Sequence, residues 1–450
     1  MKRSNFGSKL GIVLATAGSA VGLGNIWRFP TMTGQNGGAA FLLIYIVFVF
    51  MLGIPGMLAE FVVGRKAHKN APRAFMTLGG KTPFAAIGYV GVLGGMVIFG
   101  FYSVIAGWCM HYLYASLTSQ LNGSPEQIVS YFQSFSSSTW EPLIWTAVFM
   151  LLTHLVVWGG VNKGIERCAK TLMPLLFIVL IIIVVASLCV PDAYKGIEFL
   201  FKPDFSKITP STMLAALGQA FFTLSLGVAC LTTYASYFDK DVNMTRAGVQ
   251  IALVDTLIAI LAGLMIFPAA FSVGVEPDAG PSLIFITLPN VFQSAFSFIP
   301  GASYVISVMF YGLLVLAALT STISMHEIGT AFFTEELKLS RGLGASIVSI
   351  CCFGVAILSS LSFGILSDVK IMDKGFLDFF DFITGQIIMP ICGLLTCLMV
   401  GWYVPKTTVY EELTNKGTIS TKVFKLILFA IRYICPIGIT IIFLNLFGII

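Results

Sequence analysis

The sequence predicts an all-α polytopic membrane protein, and three observations carry that prediction. Of 450 residues, 57% are apolar or aromatic and only 10% are charged, whereas an ordinary soluble domain carries about 25% charged residues. The apolar residues gather into eleven long continuous runs rather than the short alternating strands of a transmembrane β-barrel. Lys and Arg concentrate in alternate loops between those runs.

The runs lie near 10–34, 39–63, 84–117, 142–160, 171–190, 212–236, 247–272, 302–333, 343–362, 376–403 and 423–447. A crossing needs about 20 residues, so each run is a candidate span. With the N-terminus placed inside, 19 Lys and Arg fall in inner loops and 5 in outer ones, while Arg28 and Arg432 lie within runs. That bias puts the N-terminus in the cytoplasm of a multi-pass protein of the cell (inner) membrane, and an odd span count puts the C-terminus outside. No cleavage pattern follows Lys2, Arg3 and Lys9, so no signal peptide is expected. The nine cysteines lie mostly inside apolar runs and predict no disulfide framework. A net charge of +5 points to no nucleic-acid partner. The surroundings are the lipid bilayer.

Two runs are interrupted. The first contains Ala17-Gly-Ser-Ala-Val-Gly-Leu-Gly-Asn25, and the sixth contains Phe222-Thr-Leu-Ser-Leu-Gly-Val228. Backbone inside a bilayer must be satisfied internally, so helices 1 and 6 broken at mid-membrane need a reason. One reason is close helix packing on small residues. Matched breaks at the first position of two five-helix halves instead point to a transporter's binding site. There, half-helix N–H groups meet an anionic group, and freed carbonyls ligate a cation. Gly22-Leu-Gly24 is not a nucleotide fingerprint, since the third glycine, the preceding strand and the acidic ribose ligand are all missing.

Gly18-Ser-Ala-Val-Gly-Leu-Gly-Asn-Ile-Trp-Arg-Phe-Pro30 closely resembles the first-helix signature of the neurotransmitter:sodium symporters. Phe221-Phe-Thr-Leu-Ser-Leu-Gly227, with Thr233-Tyr-Ala-Ser-Tyr237, resembles their sixth helix. Leu319-Thr-Ser-Thr322 and Glu336-Leu-Lys-Leu-Ser-Arg341 resemble the eighth helix and the loop after it. The similarity runs from about residue 3 to 404 and fits an eleven-helix bacterial branch that includes the bacterial leucine transporter. The resemblance implies a single transmembrane domain over 1–450, with a first repeat at 8–190, an inverted second repeat at 211–404 and an eleventh helix at 420–447.

It also implies ion ligands. Sodium takes hard oxygen donors. One Na⁺ would use Ala20, Asn25, Thr223, Asp255 and the substrate carboxylate, and a second would use Gly18, Val21, Ala317, Thr320 and Ser321. Taken alone, Thr320 and Ser321 read equally as hydroxyls bonded back to their own helix. Asp255 stands in the middle of an apolar run, which is costly and marks function. Animal relatives carry Asn there and bind chloride nearby. Tyr45, Gln219 and Thr223 match those chloride ligands, and Ala259 replaces their Ser. A built-in charge at Asp255 therefore predicts no chloride requirement; the alternative is that Asp255 binds protons and exchanges them for sodium on the return step, and the two are compatible. The four histidines form no ligand-spaced cluster and no serine sits in a nucleophile elbow, so no enzyme activity is expected.

Gly22 occupies the position where monoamine carriers place an Asp, which favours a substrate that brings its own carboxylate. By resemblance the substrate would meet Ser19, Ala20, Gly24, Ile98, Tyr102, Phe222, Thr223, Ser225, Val228, Ser321 and Met325. Small Val228 and adaptable Met325 suggest a bulky hydrophobic or aromatic amino acid. Ile98 and Val228 read equally well as packing residues.

Arg28 and Asp381, with Tyr102 and Phe222, match the family's outer gate; Arg3 and Glu335 match the inner gate. Phe6 replaces the family's Trp. Glu60 would accept hydrogen bonds from the unwound sixth helix. Gly164 and Pro174 match a spacing that lets helix five unwind in relatives, or are simply a loop glycine and a helix-start proline. Glu327 and Arg432 sit in apolar runs with no assigned role. The reading is a sodium-coupled amino-acid symporter working by alternating access. A same-fold carrier of another substrate, a proton-coupled carrier, an amino-acid sensor and an uncoupled channel are its alternatives.

Overall fold

A computed structural model describes residues 6–80, 82–274, 283–297, 299–417 and 421–446. Among these residues the protein is helical, and nine helices are long and apolar enough to cross a membrane. They are α2 (Ala39–Ala67), α3 (Ala85–Leu117), α4 (Glu141–Trp158), α5 (Val161–Leu188), α7 (Met244–Ser272), α8 (Ala302–Glu336), α9 (Arg341–Leu361), α10 (Phe376–Tyr403) and α11 (Val423–Asn445). The first segment is a bent pair, α1a (Lys9–Ala20) and α1b (Gly24–Gln35), with 52° between its halves. The sixth is a second broken segment, α6a (Pro210–Thr223) and α6b (Cys230–Ala235).

These bounds track the apolar runs to within a few residues, except at α5. That helix begins at Val161, about three turns before the apolar run that starts near 171, because Lys163, Glu166, Arg167 and Lys170 extend it into polar surroundings. Pro174 therefore lies inside the helix, not at its start. Shorter helices cover the ends of the spans. Asn70 caps Ala71–Gly79, and a Ser124–Gln127 capping box starts Pro125–Ser137.

The outer faces of the long helices carry exposed apolar side chains such as Ile350 (73%) and Leu426 (69%), as lipid contact requires. The interior is made by α3 packed along α8, α4 and α9, and by α1a packed against α5, α7 and α8. α2 runs beside both halves of the sixth segment. The two broken segments thus lie against each other.

Candidate functional site

The break in the sixth segment follows from its own residues. Ser225, Gly227 and Ala229 all take positive φ (53°, 85° and 60°), which no helix continues through. At Gly227 a Cβ would fall 2.0 Å from the Met389 carbonyl oxygen, so only glycine fits. Glu60 accepts the backbone bonds this break frees: its carboxylate takes Gly227 N–H at 2.6 Å, Thr232 N–H at 3.3 Å and the Thr232 hydroxyl at 3.1 Å. The expected role of Glu60 is thus visible in atoms. In the first segment the turn over Val21–Leu23 is held by Gly22 N–H donating to Asn25 Oδ1 (3.0 Å) and Leu23 N–H donating to the Tyr102 hydroxyl (2.9 Å).

Beside the two breaks lies Asp255 of α7, fully buried. Asn25 Nδ2 donates to its Oδ1 at 2.7 Å, the Thr223 hydroxyl lies 3.0 Å from its Oδ2, and the Tyr45 hydroxyl lies 3.4 Å from Oδ2. All three partners are neutral, and no Lys, Arg or His pairs with Asp255 among the described residues. A carboxylate at zero exposure costs several kcal/mol unless a cation answers it. The site is chemically fitted for a small cation with oxygen ligands. Gln219 Nε2 donates to Gly24 O at 3.4 Å, and its buried Oε1 has no hydrogen-bond partner among the described residues. Ala259 is buried on the same helix as Asp255.

A second oxygen cluster lies on the α8 side of the first break. The Val21 carbonyl, freed by the turn, accepts from the Ser321 hydroxyl at 3.0 Å and the Thr320 hydroxyl at 3.3 Å. Thr320 also bonds back to Ala317 O at 2.9 Å. Thr320 thus does what a membrane hydroxyl ordinarily does, while Ser321 reaches across to another helix. Gly18 packs against Thr320, whose Cβ lies 3.4 Å from where a glycine Cβ would be. Four of the five residues matched to the second ion therefore share hydrogen-bonded oxygens, and the fifth touches them.

Between the clusters opens a cavity of about 360 Å³. Ser19, Ala20, Gly24, Ile98, Tyr102, Phe222, Thr223, Ser225, Val228, Ser321 and Met325 all line it. The mainly apolar wall and few convergent polar groups suit a small amphipathic ligand. Gly22 lines it too, where a Cβ would stand 2.3 Å from Ser321 Oγ and 2.8 Å from the Tyr102 oxygen, so an acidic side chain has no room. Ser19 serves less as a ligand donor than as a tie, its hydroxyl lying 2.8 Å from Cys230 Sγ and 2.9 Å from Ser324 Oγ. The sequence did not mark Cys230 or Ser324.

The cavity continues past Phe222 to Arg28 and Asp381. Here the structure departs from a closed gate. The Arg28 guanidinium stacks over the Phe222 ring at 3.9 Å, and no ion pair joins it to Asp381 among the described residues. On the opposite side the path is shut. Phe6 is buried among Tyr234, Tyr237 and Phe238, with ring centroids 5.8, 6.0 and 6.5 Å away, and its N–H donates to Tyr237 O at 3.2 Å. Glu166 grips the start of α1a, accepting Gly7 N–H at 2.6 Å and the Ser8 hydroxyl at 2.9 Å. Arg3 lies outside the described residues. Its expected partner Glu335 accepts the Asn70 N–H at 2.8 Å.

Glu327 and Arg432 now have partners. Glu327 pairs with Arg341 at 2.5 Å and accepts the Tyr237 hydroxyl at 2.6 Å, tying α8, α9 and the end of the sixth segment. Arg432 donates to Gly401 O at 2.5 Å, binding α11 to α10. The cost of a buried charge could have flagged Glu327 from its sequence context, but no spacing rule names a partner on another helix.

Comparison with known proteins places this geometry in context. The family model described as "Sodium:neurotransmitter symporter family" matches residues 3–139 and 125–449. An uncharacterized sodium-dependent transporter of Bacillus subtilis, YhdH, is 39% identical over 100% of this chain and 98% of its own length. A sodium-dependent transporter of Haemophilus influenzae is 35% identical over 99% of each chain. The crystal structure of MhsT in complex with L-phenylalanine superposes with a TM-score of 0.90 at 42% identity, covering 98% of this chain and 99% of that one.

Proposed function

Because the chain belongs to the sodium:neurotransmitter symporter family, we propose that it carries a bulky hydrophobic or aromatic L-amino acid across the membrane with Na⁺, by alternating access and without chloride. Membership makes it a sodium-dependent membrane transporter of a small molecule, not an enzyme. The finer reading is ours, and the observation that carries it is Asp255, a fully buried carboxylate beside the two helix breaks with no counter-ion among the described residues.

In this reading one Na⁺ sits among Ala20 O, Asn25, Thr223 and Asp255, and the substrate carboxylate completes its shell. Substrate and ion then bind together, which is the coupling. A second Na⁺ takes the oxygens of Gly18, Val21, Ala317, Thr320 and Ser321. The substrate ammonium meets carbonyls at the breaks, and its side chain lies between Ile98, Val228 and Met325. L-Phenylalanine in the MhsT complex supports a bulky substrate, as does Val228 lining the cavity. Asp255 supplies permanently the negative charge that relatives take from chloride. Arg28 leaves Phe222 to approach Asp381 when the outer path closes. Release of Phe6 and of the Glu166 contacts opens the other side, which we assign to the cytoplasm, with Arg3 and Glu335 its charged latch. The moving unit is the 8–190 repeat's first two helices with their counterparts in the inverted 211–404 repeat.

Each Na⁺ entering down ~100 mV and a ~tenfold gradient supplies ~3.7 kcal/mol. Two ions would sustain roughly a 10⁵-fold gradient of a neutral zwitterion. The test is uptake of radiolabelled phenylalanine, tryptophan, leucine, glycine and γ-aminobutyrate into proteoliposomes with inward Na⁺ or choline. Na⁺-driven accumulation of the bulky amino acids is expected. Preferential uptake of glycine or γ-aminobutyrate would overturn the substrate class, and binding with no Na⁺-driven accumulation would overturn symport.

A further inference from the structure

Away from the central cavity, a groove of about 380 Å³ lies between α4 and α9 on the outer surface of the bundle. Leu151 (55% exposed) and Ile350 (73%) flank it, so it faces lipid. At one end stand His154, Ser346 and Ser349; at the other, Ala147 and Phe353. His154 is nine-tenths buried, at 9% exposure. Transport as described above uses none of these groups.

A hydrogen-bond chain behind the groove decides what His154 offers it. The Thr330 hydroxyl donates to His326 O four residues back, at 3.0 Å, the ordinary arrangement of a helix hydroxyl in apolar surroundings. Its single proton is thereby used, so His326 Nδ1, 3.0 Å from the same oxygen, must be the donor there. The neutral His326 ring then presents a lone pair at Nε2, and the Ser349 hydroxyl, 2.8 Å away, donates to it. With that proton spent, Ser349 Oγ accepts from His154 Nδ1–H at 3.0 Å. His154 Nε2 is left as a bare lone pair, and no partner reaches it among the described residues. An acceptor that opens into an otherwise apolar groove calls for a donor.

The depth of the groove identifies the source of that donor. His154 lies one turn, about 6 Å, inside Trp158 at the end of α4. Trp158 is 57% exposed at the end of this candidate span, the position that interfacial aromatic residues take. Ala147 lies about 10 Å further along α4 than His154, near the middle of that span. The polar end of the groove is therefore near the interface and its apolar end is deep, the same polarity as an amphiphile in that leaflet.

We propose that this groove binds a membrane amphiphile bearing a hydroxyl, the hydroxyl donating to His154 Nε2 and the alkyl chain lying against Ala147, Met150 and Phe353. The site is specific for a donor, not merely for a chain.

The test uses the full-length protein in nanodiscs at pH 8. A dodecanol carrying a chain diazirine and its methyl ether are photolysed separately, and labelled residues are mapped by mass spectrometry. The alcohol should label α4 and α9 at the groove at least fivefold more than the ether, and His154→Phe should lower it to the ether's level. Because the alcohol–ether pair is compared in the unaltered protein, the test does not depend on the variant folding. Equal labelling would mean the groove takes any lipid chain. Stronger labelling by the ether would mean the hydrogen-bond chain runs the other way, and absence of groove labelling would leave water as the occupant. Each of these three overturns the proposal.

Discussion

Asp255 and Glu327 are both completely buried carboxylates on long apolar helices, and the protein treats them differently. Glu327 has a built-in cation, Arg341 at 2.5 Å, plus the Tyr237 hydroxyl. Among the described residues, Asp255 has only Asn25, Thr223 and Tyr45. Either answer offsets the same desolvation cost. A resident guanidinium fixes helices to one another. A neutral cage leaves a negative charge that a mobile cation can answer and later abandon. In the reading proposed here, the first is a structural charge and the second a transport charge.

The comparison can be broken at either end. The largest effect is expected from Asp255→Ala, which should cut Na⁺-driven uptake more than a hundredfold and remove the rise in thermal stability that Na⁺ gives the purified protein. Substantial retained uptake would put the transport charge elsewhere. Glu327→Ala should act on stability instead. Removing one partner of a fully buried pair costs about 3–5 kcal/mol, and the 27% exposure of Arg341 should hold the loss to roughly 2 kcal/mol. The melting temperature should fall equally with and without Na⁺, and Glu327→Met with Arg341→Met should recover most of it.

Smaller effects sharpen the picture of the cavity. Gly22→Ala sets a methyl 2.3 Å from Ser321 Oγ, so substrate affinity should drop about tenfold or more. Equilibrium binding of labelled phenylalanine checks this. Val228→Phe should lower phenylalanine uptake relative to leucine by about tenfold, the scale on which pocket volume discriminates apolar groups. The smallest change is expected from Glu166→Gln, which weakens two hydrogen bonds at the start of α1a by about 1 kcal/mol in all. Hydrogen exchange should quicken over 8–20 while the melting temperature barely moves.

Much of this was legible from the chain alone. Apolar runs place the spans because the bilayer demands length, and a glycine-rich interruption with polar neighbours places the breaks because backbone in lipid must be satisfied. Every residue assigned to the substrate lines one cavity. What stayed hidden depends on contacts between helices distant in sequence. Glu166 reaches Ser8 across 158 positions and Ser19 meets Ser324 across 305, and no periodicity encodes either. The early start of α5 was missed because charged residues extend a helix without extending its apolar run. Gln219 matched a ligand position by sequence, and its hydrogen bond to Gly24 O across 195 positions is a contact that sequence cannot express.

The central claim is that Asp255 is the permanent negative charge beside a transported Na⁺. Its most direct test is labelled phenylalanine uptake into proteoliposomes under an inward Na⁺ gradient, in chloride and in gluconate, for the natural protein and for Asp255→Asn. The account predicts equal uptake by the natural protein in both anions, and uptake by Asp255→Asn only when chloride is present. Loss of natural uptake in gluconate, or full chloride-independent uptake by the Asn variant, would contradict it.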